Sequence, residues 1–156
     1  MTPLFQKLNL KEHREILVVG APGSLESELG ALDGVAVHRS WAKLRRIDFA
    51  LVFVTTQKEL DRAVHAIAKK ASGDIVLWFA YPKKSSKKYR CEIDRDHGWG
   101  LLGDAGFEGV RSAAIDEDWS GIRFRRVEFI HKITRDPKHA LSAEGKKRGA
   151  KGTPPR

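Results

Sequence analysis

The chain of 156 residues is poor in cysteine and in long apolar runs, and each shortage excludes a class of protein. Cys91 is the only cysteine, so no internal disulfide can form, and this composition fits a reducing cytoplasm. The longest uncharged, mainly apolar run is Ile75 to Pro82, far short of the about 20 residues that a membrane-spanning helix needs. Residues 1–15 lack the apolar stretch of a secretory signal, so we expect a cytoplasmic location and no membrane association.

Acidic residues are also few, with 20 Asp+Glu against 29 Lys+Arg and a net charge of +9. Residues 131–156 hold eight basic and two acidic residues, a net +6, and residues 81–90 add +5 without any acid. The rest of the chain is close to neutral. Because little after residue 133 can be buried, we expect one domain over residues 1–133 and a basic, disordered tail over residues 134–156.

Short, nearly continuous apolar runs predict buried β-strands over residues 15–20, 47–54 and 74–80, with a weaker strand over 35–38. Between the second and third runs, apolar residues recur at helical spacing from Leu60 to Ala71. Thr56 and Glu59 would cap this helix, and Gly73 would follow its end. A strand, a helix and a second buried strand predict a right-handed βαβ unit.

The remaining patterns predict shorter elements. We expect Ser24 to cap a short helix through Leu32, and a second short helix over residues 99–105 to end at Gly106. Runs at 110–115 and 122–129 predict two strands joined by a longer loop. The fold class is therefore α/β: a three-layer Rossmann-like sandwich whose mostly parallel sheet has about five or six strands and an antiparallel C-terminal hairpin strand.

Chemically distinctive residues follow the strands at one predicted edge of the sheet. In open parallel sheets, ligands bind beyond the carboxyl ends of the strands. Glycines and hydroxyls there favour the approach of an anion, and lysines supply positive charge. The candidate ligand-binding residues are Gly20, Gly23, Ser24, Thr55, Thr56, Tyr81, Lys83, Lys84 and Trp119.

Asp116 and Asp118 are the candidate catalytic residues, because they follow a strand expected to end at the same edge. A carboxylate in that position can serve as a general base, and the alternative is a hairpin loop with solvated acids. Cys91 and His97 stand near two aspartates but lack the paired spacing of a zinc site, so we expect no metal. The sequence specifies no cofactor.

The run Leu101-Leu-Gly-Asp-Ala-Gly-Phe107, followed by two strands, resembles the last part of class I S-adenosylmethionine-dependent methyltransferases. The turn at Gly20 occupies the place of that family's cofactor loop, but its third glycine is missing and His38 and Arg39 stand where the ribose-binding acid would be. The resemblance implies the fold rather than the activity.

The chain also resembles an uncharacterised family of small bacterial proteins with no assigned activity. That resemblance covers most of residues 2–130. It is carried by Thr2-Pro-Leu4 with Lys7-Leu8, Ala21-Pro-Gly23, Tyr81-Pro-Lys-Lys84 and Asp116-Glu-Asp-Trp-Ser-Gly-Ile-Arg-Phe124.

Three functions agree with these features. The first is a non-enzymatic Rossmann-like module that binds an anionic small molecule or a protein at the carboxyl edge of its sheet. The second is a divergent, methyltransferase-like transferase acting on a phosphate-bearing substrate, with Lys83 and Lys84 holding the anion. The third is non-specific nucleic-acid association through the basic tail and the lysine-rich loop.

Overall fold

Six strands form one sheet in the computed structural model, which describes residues 2–94 and 97–130. In chain order, the elements are α1 (Pro3–Lys7), β1 (Glu15–Val19), a 3-10 turn (Gly23–Leu25), α2 (Glu26–Gly30), β2 (Ala36–His38), β3 (Ile47–Phe53), α3 (Gln57–Ala68), β4 (Ala71–Pro82), α4 (Gly100–Asp104), β5 (Phe107–Ala114), β6 (Trp119–Arg126) and a second 3-10 turn (Val127–Phe129).

The sheet order is β2-β1-β3-β4-β6-β5. Strands β2, β1, β3 and β4 run parallel, and β6 runs antiparallel to both of its neighbours. Strand β5 therefore points in the same direction as the parallel strands. The predicted α/β class, its mostly parallel sheet and its antiparallel hairpin strand are confirmed.

Helices cover both faces of the sheet and give three layers. On one face, α3 and α4 pack on the core through Leu60, Val64, Ile67 and Leu102. On the other, α1 and α2 pack through apolar side chains such as Phe5. There the fully buried Trp78 donates its indole N–H to the Leu8 carbonyl at 2.8 Å, which anchors the first helix to the sheet.

Helix α3 begins as the sequence predicts. The Thr56 hydroxyl accepts the Glu59 backbone N–H at 3.1 Å, and the Glu59 carboxylate accepts the N–H of Thr56 at 3.1 Å. This reciprocal capping box satisfies amide groups that the first helical turn leaves without partners. The predicted end is wrong, because the helix stops at Ala68 and Gly73 lies inside β4. Gly73 has a φ of +54° where the register between β3 and β4 shifts.

Two other predicted elements differ from the structure. Ser24 does not cap a helix: it lies within the first 3-10 turn, and α2 starts after Leu25 without a side-chain cap. The last strand ends at Arg126 instead of residue 129, because the chain turns into the second 3-10 turn. The sequence patterns also missed α1, whose N-terminus is capped by the Thr2 hydroxyl at 3.3 Å from the Phe5 N–H.

The predicted basic tail, residues 134–156, lies outside the described residues, so the domain boundary stays a prediction. Among the residues that the structure describes, no helix is long and apolar enough to cross a membrane.

Candidate functional site

Four loops meet at the carboxyl edge of the parallel strands. They follow β1 at Gly20, β3 at Thr55, β4 at Lys83 and β5 at Ile115. The direction of the strands places them together, as the sequence predicts. Hydrogen bonds between the loops, which no sequence pattern indicated, then fix their positions.

Asp116 organises the loop between β5 and β6. Its Oδ1 atom accepts the backbone N–H groups of Asp118 at 2.8 Å and of Trp119 at 2.9 Å. Its Oδ2 atom accepts the Ser24 hydroxyl at 3.4 Å, which joins this loop to the one after β1. Both carboxylate oxygens therefore have partners within the protein.

Asp118 joins the same loop to the lysine loop, which we define as residues 83–90. The Asp118 carbonyl accepts the Lys83 backbone N–H at 2.8 Å, and its Oδ1 atom accepts the Ser86 hydroxyl at 2.9 Å. The Ser86 oxygen in turn accepts the N–H groups of Lys88 and Tyr89, each at 3.2 Å. These bonds hold the backbone of the lysine loop, while the Lys84 side chain remains 88% exposed.

Trp119 closes the end of the core beneath these loops. It is 3% exposed and packs edge-on against Phe53 and at a tilt against Tyr89, with ring centroids at 5.0 Å and 4.9 Å. Its indole Nε1 is buried and has no hydrogen-bond partner among the described residues. A buried donor left unpaired costs about 1–3 kcal/mol, so an acceptor at this point would stabilise the protein.

Several predicted ligand-binding residues serve the protein's own structure. Tyr81 is buried in the core with its ring 5.8 Å from that of Trp99. The Thr55 hydroxyl donates to Glu59 at 3.0 Å, beside the Thr56 cap. Gly20 has a φ of +73°, and a Cβ atom there would lie 2.9 Å from the Phe53 carbonyl oxygen. Gly23, Ser24 and Lys84 are the predicted residues that remain exposed at the edge, with Lys83 half-buried.

An ion pair that the sequence patterns missed stands beyond the end of β2. Both guanidinium NH₂ groups of Arg39 donate to the Glu26 carboxylate, at 2.8 Å and 2.9 Å. These hydrogen bonds lower the pKa of Glu26 and raise that of Arg39. Arg39 directly follows β2, which ends at this edge, and Glu26 begins α2 after the loop that follows β1.

No strong nucleophile stands out around these loops in the described part of the chain. Burial raises the pKa of the Cys91 thiol, and its sulfur accepts the Ile93 N–H at 3.3 Å. A thiol held in its protonated form is a poor nucleophile. The described residues also contain no group of three or more His, Cys, Asp or Glu side chains placed to hold a metal ion.

Neither protein-family models nor curated protein sequences give a match to this chain. Solved structures do. A methyltransferase from Aquifex aeolicus that depends on S-adenosylmethionine superposes with a TM-score of 0.54 at 18% identity, covering 80% of this chain and 88% of that one. The chain has a Rossmann-like, methyltransferase-like fold.

Two further structures agree with this Rossmann-like fold. The pyocyanin biosynthetic protein PhzM gives a TM-score of 0.52 at 15% identity, over 80% of this chain and 54% of its own. A Haemonchus contortus phosphoethanolamine N-methyltransferase, solved with phosphomonomethylethanolamine and S-adenosylhomocysteine, gives 0.50 at 11% identity, over 79% and 37%. The fold expected from the Leu101–Phe107 run is therefore confirmed, and kinship with the uncharacterised bacterial family stays a prediction.

S-adenosylmethionine, which this fold implies, does not fit the residues present. Nucleotide sites of Rossmann folds use a glycine-rich first turn and an acid after the second strand. Here Pro22 has no N–H to donate. Gly20 is required because a side chain at this position would collide with the Phe53 carbonyl oxygen. After β2, Arg39 is already paired with Glu26. The first turn and the end of β2 therefore lack the two features that would hold this cofactor.

Proposed function

We propose that the protein is a non-enzymatic Rossmann-like module that binds an anionic small molecule through the lysine loop at the carboxyl edge of its sheet. The observation that carries this proposal is the anchoring of that loop by Asp118 and Ser86. Four lysines and Arg90 are thereby presented on a fixed backbone at the sheet edge where open α/β folds bind ligands.

The charge of this loop favours an anion. Lys83, Lys84, Lys87, Lys88 and Arg90 have no acidic neighbour within the loop. Within the described residues, the ion pair of this loop is loose, with the Lys84 Nζ 4.0 Å from an Asp94 oxygen. Exposed pairs of this kind contribute little, so the lysines are available to an incoming anion.

The same contacts argue against catalysis. Asp116 and Asp118 were the candidate general bases, and both accept hydrogen bonds from neighbouring loops. A general base must be free to take a proton from the substrate. Protonation of a carboxylate that holds the loops in place would weaken those bonds, which favours a structural role.

The unpaired indole N–H of Trp119 also supports a ligand at this edge. It lies next to Tyr89 of the lysine loop, whose ring contacts the indole. A ligand held by the lysine loop would therefore bind close to this indole. Binding is therefore expected to change tryptophan fluorescence as well as to screen the lysine charges.

Isothermal titration of the full chain against a panel of phosphorylated and carboxylated metabolites, including S-adenosylmethionine, tests the proposal. The variant pair Lys83→Ala/Lys84→Ala removes two loop charges. The control pair Lys58→Ala/Lys69→Ala removes two exposed lysines from α3 and its end. We expect wild type and control to bind the same anion, and the loop variant to bind at least about tenfold more weakly.

Two results would overturn this function. If no anion binds the wild-type chain, or if the loop variant binds as tightly as the control, the lysine loop is not the site. If the chain consumes a methyl donor or otherwise converts the bound anion, the transferase alternative replaces the non-enzymatic one. Nucleic-acid association through residues 134–156 stays a separate prediction, tested by removing that segment.

A further inference from the structure

Two arginines stand directly opposite each other on the hairpin strands, far from the lysine loop. Arg111 of β5 is in register with Arg123 of β6, and Arg123 is opposite Trp78 of β4. Residues opposite each other on antiparallel strands have Cβ atoms about 4.5–5.5 Å apart, and like charges in that relation are destabilising. The pair therefore imposes a local electrostatic cost on the sheet.

The acidic residues on this part of the sheet, Asp74 and Glu108, lie next to Arg125. The Arg125 guanidinium donates to both carboxylate oxygens of Asp74, at 2.8 Å and 2.6 Å. Glu108 is the register partner of Arg125, not of Arg123. Within residues 2–94 and 97–130, no carboxylate forms an ion pair with Arg111 or Arg123.

Arg123 is the more confined member of the pair. Its side chain is half-buried, and its Nε atom is buried without a hydrogen-bond partner among the described residues. Burial lowers the pKa of this guanidinium, and the charge of Arg125 lowers it further; the charge of Asp74 opposes this shift, and the charge of Arg111 adds a smaller lowering. Arg111 is exposed and donates one N–H to the Asn9 side-chain oxygen at 3.0 Å. Both guanidinium groups keep donors available.

We propose that the Arg111–Arg123 pair is a binding site for a phosphate group. One phosphate carries up to two negative charges near neutral pH and offers at least three acceptor oxygens, enough for both guanidinium groups. A carboxylate offers only one charge and two oxygens. Both oxygens of the Asp74 carboxylate already accept from Arg125. Phosphate bound here would remove the repulsion between the two arginines and satisfy the donors of Arg123.

This site differs from the lysine loop in place and in chemistry. Arg123 lies four residues along β6 from Trp119 at the carboxyl edge, a separation of about 13 Å. The loop carries lysines, which act as mobile point charges, whereas this part of the sheet carries arginines, whose planar forks bind phosphate in a fixed geometry. The proposal stands whether or not the lysine loop binds an anion.

Thermal unfolding of the full chain in inorganic phosphate, compared with sodium chloride of equal ionic strength, tests the site. Phosphate at about ten times its Kd should raise the folding equilibrium constant of the wild type about tenfold. Arg111→Gln and Arg123→Gln should each remove this gain. Lys58→Gln, which removes one exposed charge from α3, should retain it.

Arg111→Lys keeps the positive charge but loses the planar guanidinium group, so it separates the effect of charge from that of geometry. We expect this variant to lose most of the stabilisation by phosphate. The proposal is overturned if phosphate does not stabilise the wild type. It is also overturned if phosphate stabilises both glutamine variants as much as Lys58→Gln, because that is the behaviour of a generally excluded salt.

A second titration identifies the source of the phosphate. Binding of a fluorescently labelled single-stranded oligonucleotide is measured for wild type, Arg111→Gln and Lys58→Gln. If the affinity falls at least about fivefold more in Arg111→Gln than in Lys58→Gln, the site holds a backbone phosphate of nucleic acid. If the two variants bind alike while the gain from inorganic phosphate is lost only in Arg111→Gln, the site holds a free phosphate or a small phosphate ester. Both results support a phosphate site.

Discussion

Replacing Asp116 by alanine tests whether this carboxylate is structural. Its Oδ1 atom accepts two backbone N–H groups at 2.8 Å and 2.9 Å, and its Oδ2 atom a hydroxyl at a longer 3.4 Å. At about 1 kcal/mol for each of the two short bonds in this partly buried loop, Asp116→Ala should lower the free energy of unfolding by about 2 kcal/mol. With a typical urea dependence, the urea midpoint falls by about 1 M.

Glu117 is the matched control, because it lies in the same loop and is exposed. Glu117→Ala removes one negative charge and should change stability by less than about 0.5 kcal/mol. Asp116→Asn keeps an acceptor oxygen at the Oδ1 position and should lose less than Asp116→Ala. Equal urea midpoints for the two alanine variants would refute the structural role of Asp116 and reopen its candidacy as a general base.

Two further predictions concern the loops after β3 and β1. The hydrogen bond from the Thr55 N–H holds the pKa of Glu59 below its ordinary value, so the cap contributes stability at neutral pH and loses it as the pH falls below about 4.3 toward the folded-state pKa. The free energy of unfolding, measured by urea denaturation at several acid pH values, should fall more steeply with decreasing pH for wild type than for Glu59→Gln. Parallel curves for the two proteins would contradict this. Gly20→Ala should cost about 2 kcal/mol or more in urea unfolding, because it forces a side chain to a φ of +73° and against the Phe53 carbonyl. Gly23→Ala meets open space and should be nearly neutral, so similar losses for both would show that the contact is unimportant.

The fold was largely predictable from the sequence, because the spacing of apolar residues is a local signal of strands and helices. The direction of the strands then follows from the right-handed βαβ connection. The run of buried residues in β3 and the stripe from Leu60 to Ile67 gave the βαβ unit. The failures lie where tertiary contacts override local pattern. Helix α1 has five residues, too few to show a period, and depends on Trp78 reaching Leu8. A glycine with a positive φ occurs both after a helix and at a strand irregularity, so the sequence could not tell the two apart. Gly73 lies at the strand irregularity.

The candidate site was predictable in place but not in detail. Parallel strands bring their carboxyl ends to one edge, so Gly20, Lys83 and Asp116 were expected to be neighbours. The bond between Ser24 and Asp116 joins residues 92 positions apart, which no spacing rule can indicate. The buried position of Tyr81 was accessible from alternation along β4, since it shares a face with Phe79, whose ring also contacts Trp99.

Native mass spectrometry of the full chain tests the proposed function most directly. Spectra are recorded for the freshly purified protein and for the same protein mixed with a set of phosphorylated and carboxylated metabolites. We predict an adduct with an anion of unchanged mass that wild type and Lys58→Ala/Lys69→Ala form at the same level and that Lys83→Ala/Lys84→Ala forms at a much lower level. No adduct under either condition, or an adduct that the loop variant forms at the wild-type level, would contradict anion binding by the lysine loop.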